Sequence, residues 1–276
     1  MLNLLKMVYN KVLLVKKYNS IYVIEYPKSG RTWLRVMVLQ YFLLHFKEFK
    51  NSFDMMKKDP RIPRLIFTHD GAGLSVRKKP LRYDELAVQR GRYARKKIIF
   101  IVRDPRDVLV SLYFQAVKRQ KIYAGTISEF IRDDKFGIKK ILRFYDVWNE
   151  TLCEHEKDRC LIISYESMHQ NTHDVLVSVV RFMGFEAVEH MIRDAVQYAS
   201  FENMQQMEKN SEHASSKILV PGDRLDVESF KTRRGKVGGY IDYLPAEDIM
   251  YIEEHMYRSN SEYIKPYLTR PRSVKE

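Results

Sequence analysis

The strongest constraint on the fold is a short apolar run that leads straight into a turn and then into a long apolar helix. Residues 21–24 read Ile-Tyr-Val-Ile, and residues 26–33 read Tyr-Pro-Lys-Ser-Gly-Arg-Thr-Trp. Buried parallel strands have such continuous apolar runs, and a glycine lets the chain turn where a Cβ would be unfavourable. The pattern therefore predicts a strand, a tight turn at Gly30 and a helix over residues 32–46.

The same alternation of strand-like and helical patterns recurs along the chain. The strand-like runs are residues 21–24, 65–67, 98–102 and 161–164. The helical patterns cover residues 32–46, 105–117, 137–150, 172–183 and 187–198. Such alternation is typical of an α/β protein with a central parallel sheet flanked by helices, whose ligands bind beyond the carboxyl ends of the strands. The sequence therefore predicts this fold class, with the first turn at the ligand-binding edge.

The length of the chain favours one domain. A chain of 276 residues can bury one sizeable core, and we expect residues 20–276 to form it. Residues 1–19 form a basic amphipathic segment whose longest apolar run is four residues, too short for a signal peptide or a membrane span. Two alternatives stay open for this segment: an element docked on the domain, or a basic helix in peripheral contact with a membrane.

Charge and cysteine content restrict the partners and the compartment. The net charge of +13 and the pI near 9.5 favour anionic partners such as nucleotides, acidic glycans, nucleic acid or an anionic membrane surface. Cys153 and Cys160 are the only cysteines and have no zinc-ligand spacing, and the eight histidines form no metal-binding motif. We therefore predict no metal, and a reducing compartment, the cytoplasm.

The turn after the first strand has the features of an anion-binding site. The N–H groups of residues 30–33 are expected to point outward at the helix N-terminus, where the helix dipole favours negative charge. Lys28 adds a positive charge and Thr32 a hydroxyl donor. A P-loop has its lysine after the second of two glycines, whereas Lys28 precedes Gly30. The turn therefore indicates a phosphate-like ligand but is not a P-loop.

Two further basic clusters follow along the chain. Residues 103–107, Arg-Asp-Pro-Arg-Asp, come directly after the third strand-like run. Arg103 offers a planar fork for a phosphate, and Ser111 on the following helix offers a hydroxyl. Nearer the C-terminus, residues 233–238 read Arg-Arg-Gly-Lys-Val-Gly. Taken singly, each cluster is also compatible with a salt-bridged or solvated turn.

In this order and spacing, the three motifs resemble those of cytosolic-type sulfotransferases that use 3′-phosphoadenosine 5′-phosphosulfate (PAPS). The resemblance spans roughly residues 20 to 240. It implies that the first turn binds the 5′-phosphosulfate, the second motif binds the 3′-phosphate, the third closes over the nucleotide, and aromatic residues hold the adenine. The implied cofactor-binding residues are Lys28, Ser29, Gly30, Arg31, Thr32, Trp33, Arg103, Ser111, Tyr165, Ala199, Phe201, Arg233, Arg234 and Gly235.

The chain departs from the family pattern at several positions. Arg234 replaces the usual lysine, and Gly239-Tyr240 replaces the usual Asp-Trp. Phe67 stands where the family has a lysine two residues before its catalytic histidine. The family's C-terminal dimer motif is not evident in residues 240–254, so the oligomeric state stays open.

Sulfuryl transfer requires a cation for the leaving phosphate oxygen and a base for the proton of the acceptor. Lys28 is the predicted cation because its turn directs it at the phosphosulfate. His69 is the predicted base, because the family places its catalytic histidine at this position after the second strand. Asp70 is an alternative, either as the residue that orients His69 or as the base itself.

The acceptor is expected to carry a hydroxyl, as a carbohydrate, a small alcohol or a phenol. Its pocket is predicted to lie among three variable loops, residues 70–84, 115–126 and 209–228, the last of which could form a lid. Two of these loops are basic, which suggests an anionic acceptor. The basic residues are Arg77, Lys78, Lys79, Lys118, Arg119 and Lys121.

Two other functions compete with this interpretation. A nucleotide kinase or NTPase of related fold would need a Walker lysine with a neighbouring Mg²⁺-binding hydroxyl, and the order of Lys28 and Thr32 does not fit. A non-catalytic binder of nucleotides or nucleic acid is compatible with the charge, but no helix-turn-helix, zinc-finger or RNA-binding aromatic motif is present. We therefore expect no nucleic-acid partner.

Overall fold

The described part of the chain is built on a parallel sheet whose strands are the apolar runs of the sequence. The computed structural model describes residues 20–47, 59–74, 79–210 and 219–268. The strands are β1 (Ile21–Glu25), β2 (Leu65–Thr68), β3 (Lys97–Val102) and β4 (Cys160–Ser164). They lie in the order β2-β1-β3-β4, and every neighbouring pair is parallel. The predicted α/β class is thus confirmed, whereas the predicted segment 1–19 lies outside the described residues.

The helices of the described residues surround this sheet. They are α1 (Arg31–His45), α2 (Arg90–Tyr93), α3 (Pro105–Phe114), α4 (Ile127–Arg132), α5 (Ile138–Cys153), α6 (Tyr165–Gln170), α7 (Thr172–Phe182), α8 (Glu189–Tyr198), α9 (Phe201–Asn210) and α10 (Ala246–Tyr257). Helix α3 continues into a π-helical turn over Gln115–Arg119. Short 3₁₀ turns lie at Tyr83–Glu85, Lys157–Arg159, Val227–Ser229, Gly239–Asp242 and Lys265–Tyr267.

Both faces of the sheet are covered, which explains why its strands are apolar throughout. Ile99 and Ile101 of β3 pack with α1, α7 and α8 on one face. Ile98 and Phe100 point the other way and pack with α3, α5 and α10. In the described residues, none of the helices is long and apolar enough to span a bilayer.

The five predicted helices are present, and their boundaries shift by a few residues. The third helical pattern begins one residue after Gly137, which is its N-cap. The pattern over residues 105–117 ends as an α-helix at Phe114, where the π turn takes over. Helices α2, α4, α6, α9 and α10 were not predicted. The first four are short or largely polar, so they lack the apolar periodicity on which such a prediction depends.

The predicted loop over residues 209–228 is described only at its two ends. Helix α9 continues to Asn210, and the chain is described again from Leu219. Residues 211–218 and residues 75–78, which include Arg77 and Lys78 of the first predicted acceptor loop, lie outside the described residues.

Candidate active site

A cleft of ≈ 390 Å³ lies at the carboxyl edge of the sheet, where residues that follow all four strands meet. Lys28 follows β1, His69 follows β2, Arg103 follows β3 and Tyr165 follows β4. The predicted site residues that line the cleft are Lys28, Gly30, Arg31, Thr32, Trp33, His69, Arg103, Ser111, Tyr165, Ala199, Phe201, Arg233, Arg234 and Gly235. Of the predicted residues only Ser29, whose side chain is fully buried, does not line it.

The turn after β1 depends on two residues with left-handed backbone. Lys28 has a φ of 76° and Gly30 a φ of 109°. A Cβ added at Gly30 would lie 2.8 Å from the Tyr165 ring, so glycine is required both by conformation and by space. The turn brings the chain directly into α1, with Gly30 as its N-cap.

One N–H group of this turn is directed away from the cleft. The backbone N–H of Arg31 donates to Glu25 Oε2 at 2.9 Å, and Arg31 Nε lies 3.3 Å from Glu25 Oε1. The prediction that all four N–H groups face a ligand is therefore wrong for Arg31, because its N–H group donates to the buried Glu25 carboxylate instead. Burial raises the pKa of Glu25 to about 7, against the lowering effect of Arg31.

Lys28 is the most strongly perturbed cation of the cleft. Burial, together with the neighbouring positive charges of Arg119, Lys231 and Arg103, lowers the pKa of Lys28 to about 7. Removal of water and repulsion by like charges both favour the neutral amine. A bound anion would favour the protonated form instead, so a negatively charged ligand would raise the pKa of Lys28.

His69 is held in one tautomer by the main chain. Its Nδ1 lies 3.2 Å from the carbonyl oxygen of Glu25. A carbonyl only accepts hydrogen bonds, so Nδ1 carries the proton and the lone pair of Nε2 is left to accept one. Burial and the nearby Arg31 lower the pKa of His69 to about 3. The imidazole is therefore neutral at neutral pH, as a base must be.

Asp70 does not share this site. Its Oδ1 accepts a hydrogen bond from the Tyr93 hydroxyl, and Asp70 is not among the residues that line the cleft. The alternative that Asp70 orients His69 is thus wrong, because the Glu25 carbonyl does so and the Asp70 carboxylate points towards α2.

Arg103 joins the first and third motifs. Its Nη1 donates to the carbonyl oxygen of Lys28 at 2.9 Å, and its Nη2 to that of Lys236 at 3.4 Å. The guanidinium lies 3.8 Å from the centre of the Tyr165 ring, and its Nη2 lies 3.8 Å from Asp107 Oδ2. An arginine with these contacts is fixed before any ligand arrives, which lowers the entropic cost of binding a phosphate.

The third motif is held against α3 by the Asp107 carboxylate. Asp107 accepts hydrogen bonds from the N–H groups of Gly238 at 2.8 Å and Tyr240 at 2.9 Å. Arg233 lies over the Phe114 ring and contacts Glu228 at 3.0 Å. The segment therefore lies along the same end of the cleft as Arg103.

Aromatic side chains line the cleft near Arg103. The Trp33 indole N–H donates to the carbonyl oxygen of Ala199 at 2.9 Å. Trp33 and Tyr165 also pack edge to face against His169, with ring centres 4.9 Å and 4.7 Å from it. A Cβ on Gly235 would lie 2.5 Å from the Phe201 ring, so the third motif reaches these side chains only because that residue is glycine.

Among the residues that sequence reasoning missed are Glu25, His169 and Lys231, which line the cleft, and Glu208, which supports Lys231. Glu25 could have been found, because it is a carboxylate at the end of a strand directly before the anion-binding turn. Glu208 is fully buried in α9 and accepts hydrogen bonds from the N–H groups of Lys231 and Thr232 at 2.8 Å and 3.0 Å. No local sequence signal marks such a role, since its partners lie outside its own helix.

No group of three or more His, Cys, Asp or Glu side chains that could hold a metal ion is found among the described residues.

Comparison with known proteins gives one consistent family. A family model described as "Sulfotransferase domain" matches residues 19–263. The amine sulfotransferase of Oryctolagus cuniculus is 25% identical, over 83% of this chain and 76% of its own length. The 3-beta-hydroxysteroid sulfotransferase of Cavia porcellus is 27% identical, over 82% of this chain and 78% of its own length.

Solved structures show the same fold. Mouse sulfotransferase SULT7A1, complexed with 3′-phosphoadenosine 5′-phosphate (PAP), has a TM-score of 0.65 at 21% identity and covers 90% of this chain and 88% of its own. Retinol dehydratase in complex with androsterone and PAP has a TM-score of 0.61 at 16% identity, with coverages of 92% and 83%.

Proposed function

This chain belongs to the sulfotransferase domain family, and on that premise we propose that His69 and Lys28 carry out sulfuryl transfer from PAPS to a hydroxyl acceptor. The chain is a PAPS-dependent enzyme by its family. The two solved structures described above were determined with PAP, the desulfonated product of PAPS, which supports PAPS as the co-substrate.

The observation that carries this proposal is the meeting of three separate sequence motifs in one cleft. The turn after β1, the start of α3 and the glycine segment near the C-terminus all line it. Arg103 is bonded to the first and third of these through the carbonyl oxygens of Lys28 and Lys236. In the proposed complex the 5′-phosphosulfate lies at Lys28, the 3′-phosphate lies at Arg103 and Ser111, and the adenine lies between Trp33 and Phe201.

The proposed step is an in-line displacement at sulfur. Nε2 of His69 accepts the proton of the acceptor hydroxyl, and the acceptor oxygen forms a bond to sulfur. The bond between sulfur and the 5′-phosphate oxygen breaks, and its electron pair remains on the phosphate. Protonated Lys28 stabilises this negative charge, which appears only as the bond breaks. The products are PAP, the sulfated acceptor and a proton on His69.

The acceptor class is proposed from the relatives and from the chemistry of sulfuryl transfer. The relatives named above act by their names on amines and on steroids, and one solved structure holds androsterone, so the family serves different small molecules. We propose a hydroxyl on a small alcohol, a phenol or a carbohydrate.

Cys153 and Cys160 are free thiols, which supports a reducing compartment such as the cytoplasm.

Titration calorimetry with PAP, AMP and ATP tests the nucleotide site. We expect PAP to bind tightly and AMP to bind weakly, because AMP lacks the 3′-phosphate that Arg103 is proposed to hold. Arg103→Ala should weaken PAP binding by about 100-fold, since a charged hydrogen bond to phosphate is worth about 1.5–3 kcal/mol. Equal binding of PAP and AMP would contradict the proposed site.

Turnover of PAPS tests the base. His69→Ala should lower kcat by about 10²- to 10⁴-fold while PAP affinity stays close to that of the wild type. Asp70→Asn is the matched variant, because Asp70 is next to His69 in the chain but its carboxylate is hydrogen-bonded to Tyr93 outside the cleft. We expect it to change kcat by about threefold at most. Loss of turnover in Asp70→Asn rather than in His69→Ala would reverse the assignment.

The two competing functions predict different results in the same assays. A kinase or NTPase would hydrolyse or transfer the γ-phosphate of ATP in the presence of Mg²⁺ and would not discriminate in favour of PAP. A nucleic-acid binder would bind DNA with a strong dependence on salt and would not turn over PAPS.

A further inference from the structure

One end of the cleft is polar and basic without belonging to any of the three nucleotide motifs. The π-helical turn after α3 closes with a hydrogen bond from the N–H of Gln120 to the carbonyl oxygen of Gln115, at 2.8 Å. The wider turn places Gln115, Arg119 and Gln120 together along the cleft. Such π turns are rare and often occur at functional sites. This end therefore carries two amides and a guanidinium rather than an apolar surface.

Arg119 is held in place by a second, buried group. Its Nη1 lies 3.4 Å from Glu208 Oε1, and its Nη2 donates to the carbonyl oxygen of Val220. Glu208 also accepts from the N–H groups of Lys231 and Thr232 and from the Thr232 hydroxyl, at 2.8 Å, 3.0 Å and 2.8 Å. Glu208 thus fixes Arg119 beside the backbone of Lys231. Lys231 lines the same cleft.

The positive charges at this end repel one another, and the Glu208 carboxylate offsets part of that repulsion. Arg119 and Lys231 are the first two of the cations that lower the pKa of Lys28. Burial and the charge of Arg119 lower the pKa of Lys231 to about 8. Like charges repel each other, and a bound anion would favour the protonated forms of Lys28 and Lys231.

We infer that Arg119 and Lys231, together with the amides of Gln115 and Gln120, form a subsite for an oxyanion of the acceptor. The acceptor then carries a carboxylate, a sulfate or a phosphate in addition to the hydroxyl that receives the sulfuryl group. This inference rests on the proposed function, because it assigns the nucleotide to the other motifs. It distinguishes the chain from relatives whose names indicate steroid acceptors, which carry no such charge.

Matched pairs of acceptors test the subsite. The pairs are 4-hydroxybenzoate with its neutral ethyl ester, and glucuronate with glucose, assayed by PAP release at saturating PAPS. We expect kcat/KM to favour the anionic member of a pair by about tenfold or more, the effect of one charge-assisted hydrogen bond. The binding of both anionic compounds to the enzyme–PAP complex is measured separately by calorimetry, so that the result does not depend on turnover.

Three variants show which residues are responsible. Arg119→Gln and Lys231→Gln should each reduce the preference for the anionic member about tenfold, and PAP affinity should change by about threefold at most. Lys118→Gln is the matched control. Lys118 lies on the same turn and pairs with Asp226 at 3.5 Å, but does not line the cleft. It should leave both the preference and PAP affinity unchanged.

The outcomes separate this inference from the proposed function. Tight PAP binding with no binding of either anionic compound to the PAP complex, or with equal use of the charged and neutral acceptors, overturns the inference and leaves the proposed function standing. A tenfold loss of PAP affinity in Arg119→Gln with unchanged acceptor preference shows that these cations serve the nucleotide, and also overturns it. Failure of the wild-type enzyme to bind PAP contradicts both the inference and the proposed function.

Discussion

Asp107 and Glu208 are buried carboxylates that hold the two ends of one chain segment, residues 231–240. Glu208 accepts hydrogen bonds from the first two N–H groups of this segment, those of Lys231 and Thr232. Asp107 accepts from the N–H groups of Gly238 and Tyr240 near its other end. Both carboxylates belong to helices, so each ties the segment to rigid structure.

The two carboxylates differ in their second partner. Asp107 lies next to Arg103, which is proposed to bind the 3′-phosphate, whereas Glu208 lies next to Arg119, which is proposed to bind the acceptor. In the proposed complex the same segment therefore serves two ligands, with one buried carboxylate at each end and Arg233, Arg234 and Gly235 between them. The comparison indicates that nucleotide binding and acceptor selection can be altered separately, although they share one stretch of chain.

We expect the largest effect on stability when Glu208 no longer holds its end of residues 231–240. Glu208→Gln keeps the shape of the side chain but turns one of its acceptors into an NH₂ group that faces N–H or guanidinium donors. A buried donor left without an acceptor costs about 1–3 kcal/mol, and Arg119 loses its charge partner as well. We expect the free energy of unfolding in urea to fall by about 2–4 kcal/mol.

The kinetic consequence identifies which end Glu208 serves. The KM for the acceptor should rise more than the Kd for PAP, because Arg119 and Lys231 lose their common support. Equal losses in both constants would show that the segment moves as one body, and the proposed separation of the two ends would be wrong.

Asp107→Asn is the corresponding change at the other end, with a smaller expected effect. The amide can accept from only one of the two N–H groups of Gly238 and Tyr240, which costs about 1–3 kcal/mol of stability. Loss of the negative charge beside Arg103 favours an anionic ligand, but the displaced segment no longer presents Arg233 and Arg234. We expect the second effect to dominate, with PAP affinity about tenfold lower by calorimetry and the KM for the acceptor unchanged. An increase in PAP affinity would mean that the charge outweighs the position of the segment.

The difference between Asp107 and Glu208 also explains how much of the site could be predicted from the sequence. Asp107 stands inside a strand-to-helix motif, so that its place beside Arg103 follows from local structure. Glu208 lies in a largely polar helix, and its partners Lys231 and Arg119 are distant in sequence. Likewise, the direction of the Asp70 carboxylate depends on Tyr93 of a later helix. Local patterns predict the sheet and the nucleotide motifs, but pairings across the chain become visible only in the fold.

Lys28 is influenced by both ends of the segment, because Arg119, Lys231 and Arg103 all lower its pKa. With a pKa of about 7 in the free enzyme, Lys28 is charged below pH 7 and becomes neutral above it. Glu25, whose pKa is raised to about 7, becomes negatively charged over the same range. Both changes oppose a negatively charged nucleotide as the pH rises, so binding of PAP above pH 7 must be accompanied by proton uptake.

These two titrations predict a pH dependence of PAP affinity. Calorimetry between pH 6 and pH 9, in two buffers of different ionisation enthalpy, should show affinity falling above pH 7 by about tenfold per pH unit at most for each group. Lys28→Met and Glu25→Gln should each remove one part of this dependence. Arg119→Gln should move the onset of the fall to higher pH, because removal of its positive charge raises the pKa of Lys28. An affinity that increases with pH would contradict this assignment, and an onset unchanged in Arg119→Gln would show that the acceptor end exerts no electrostatic influence on the nucleotide.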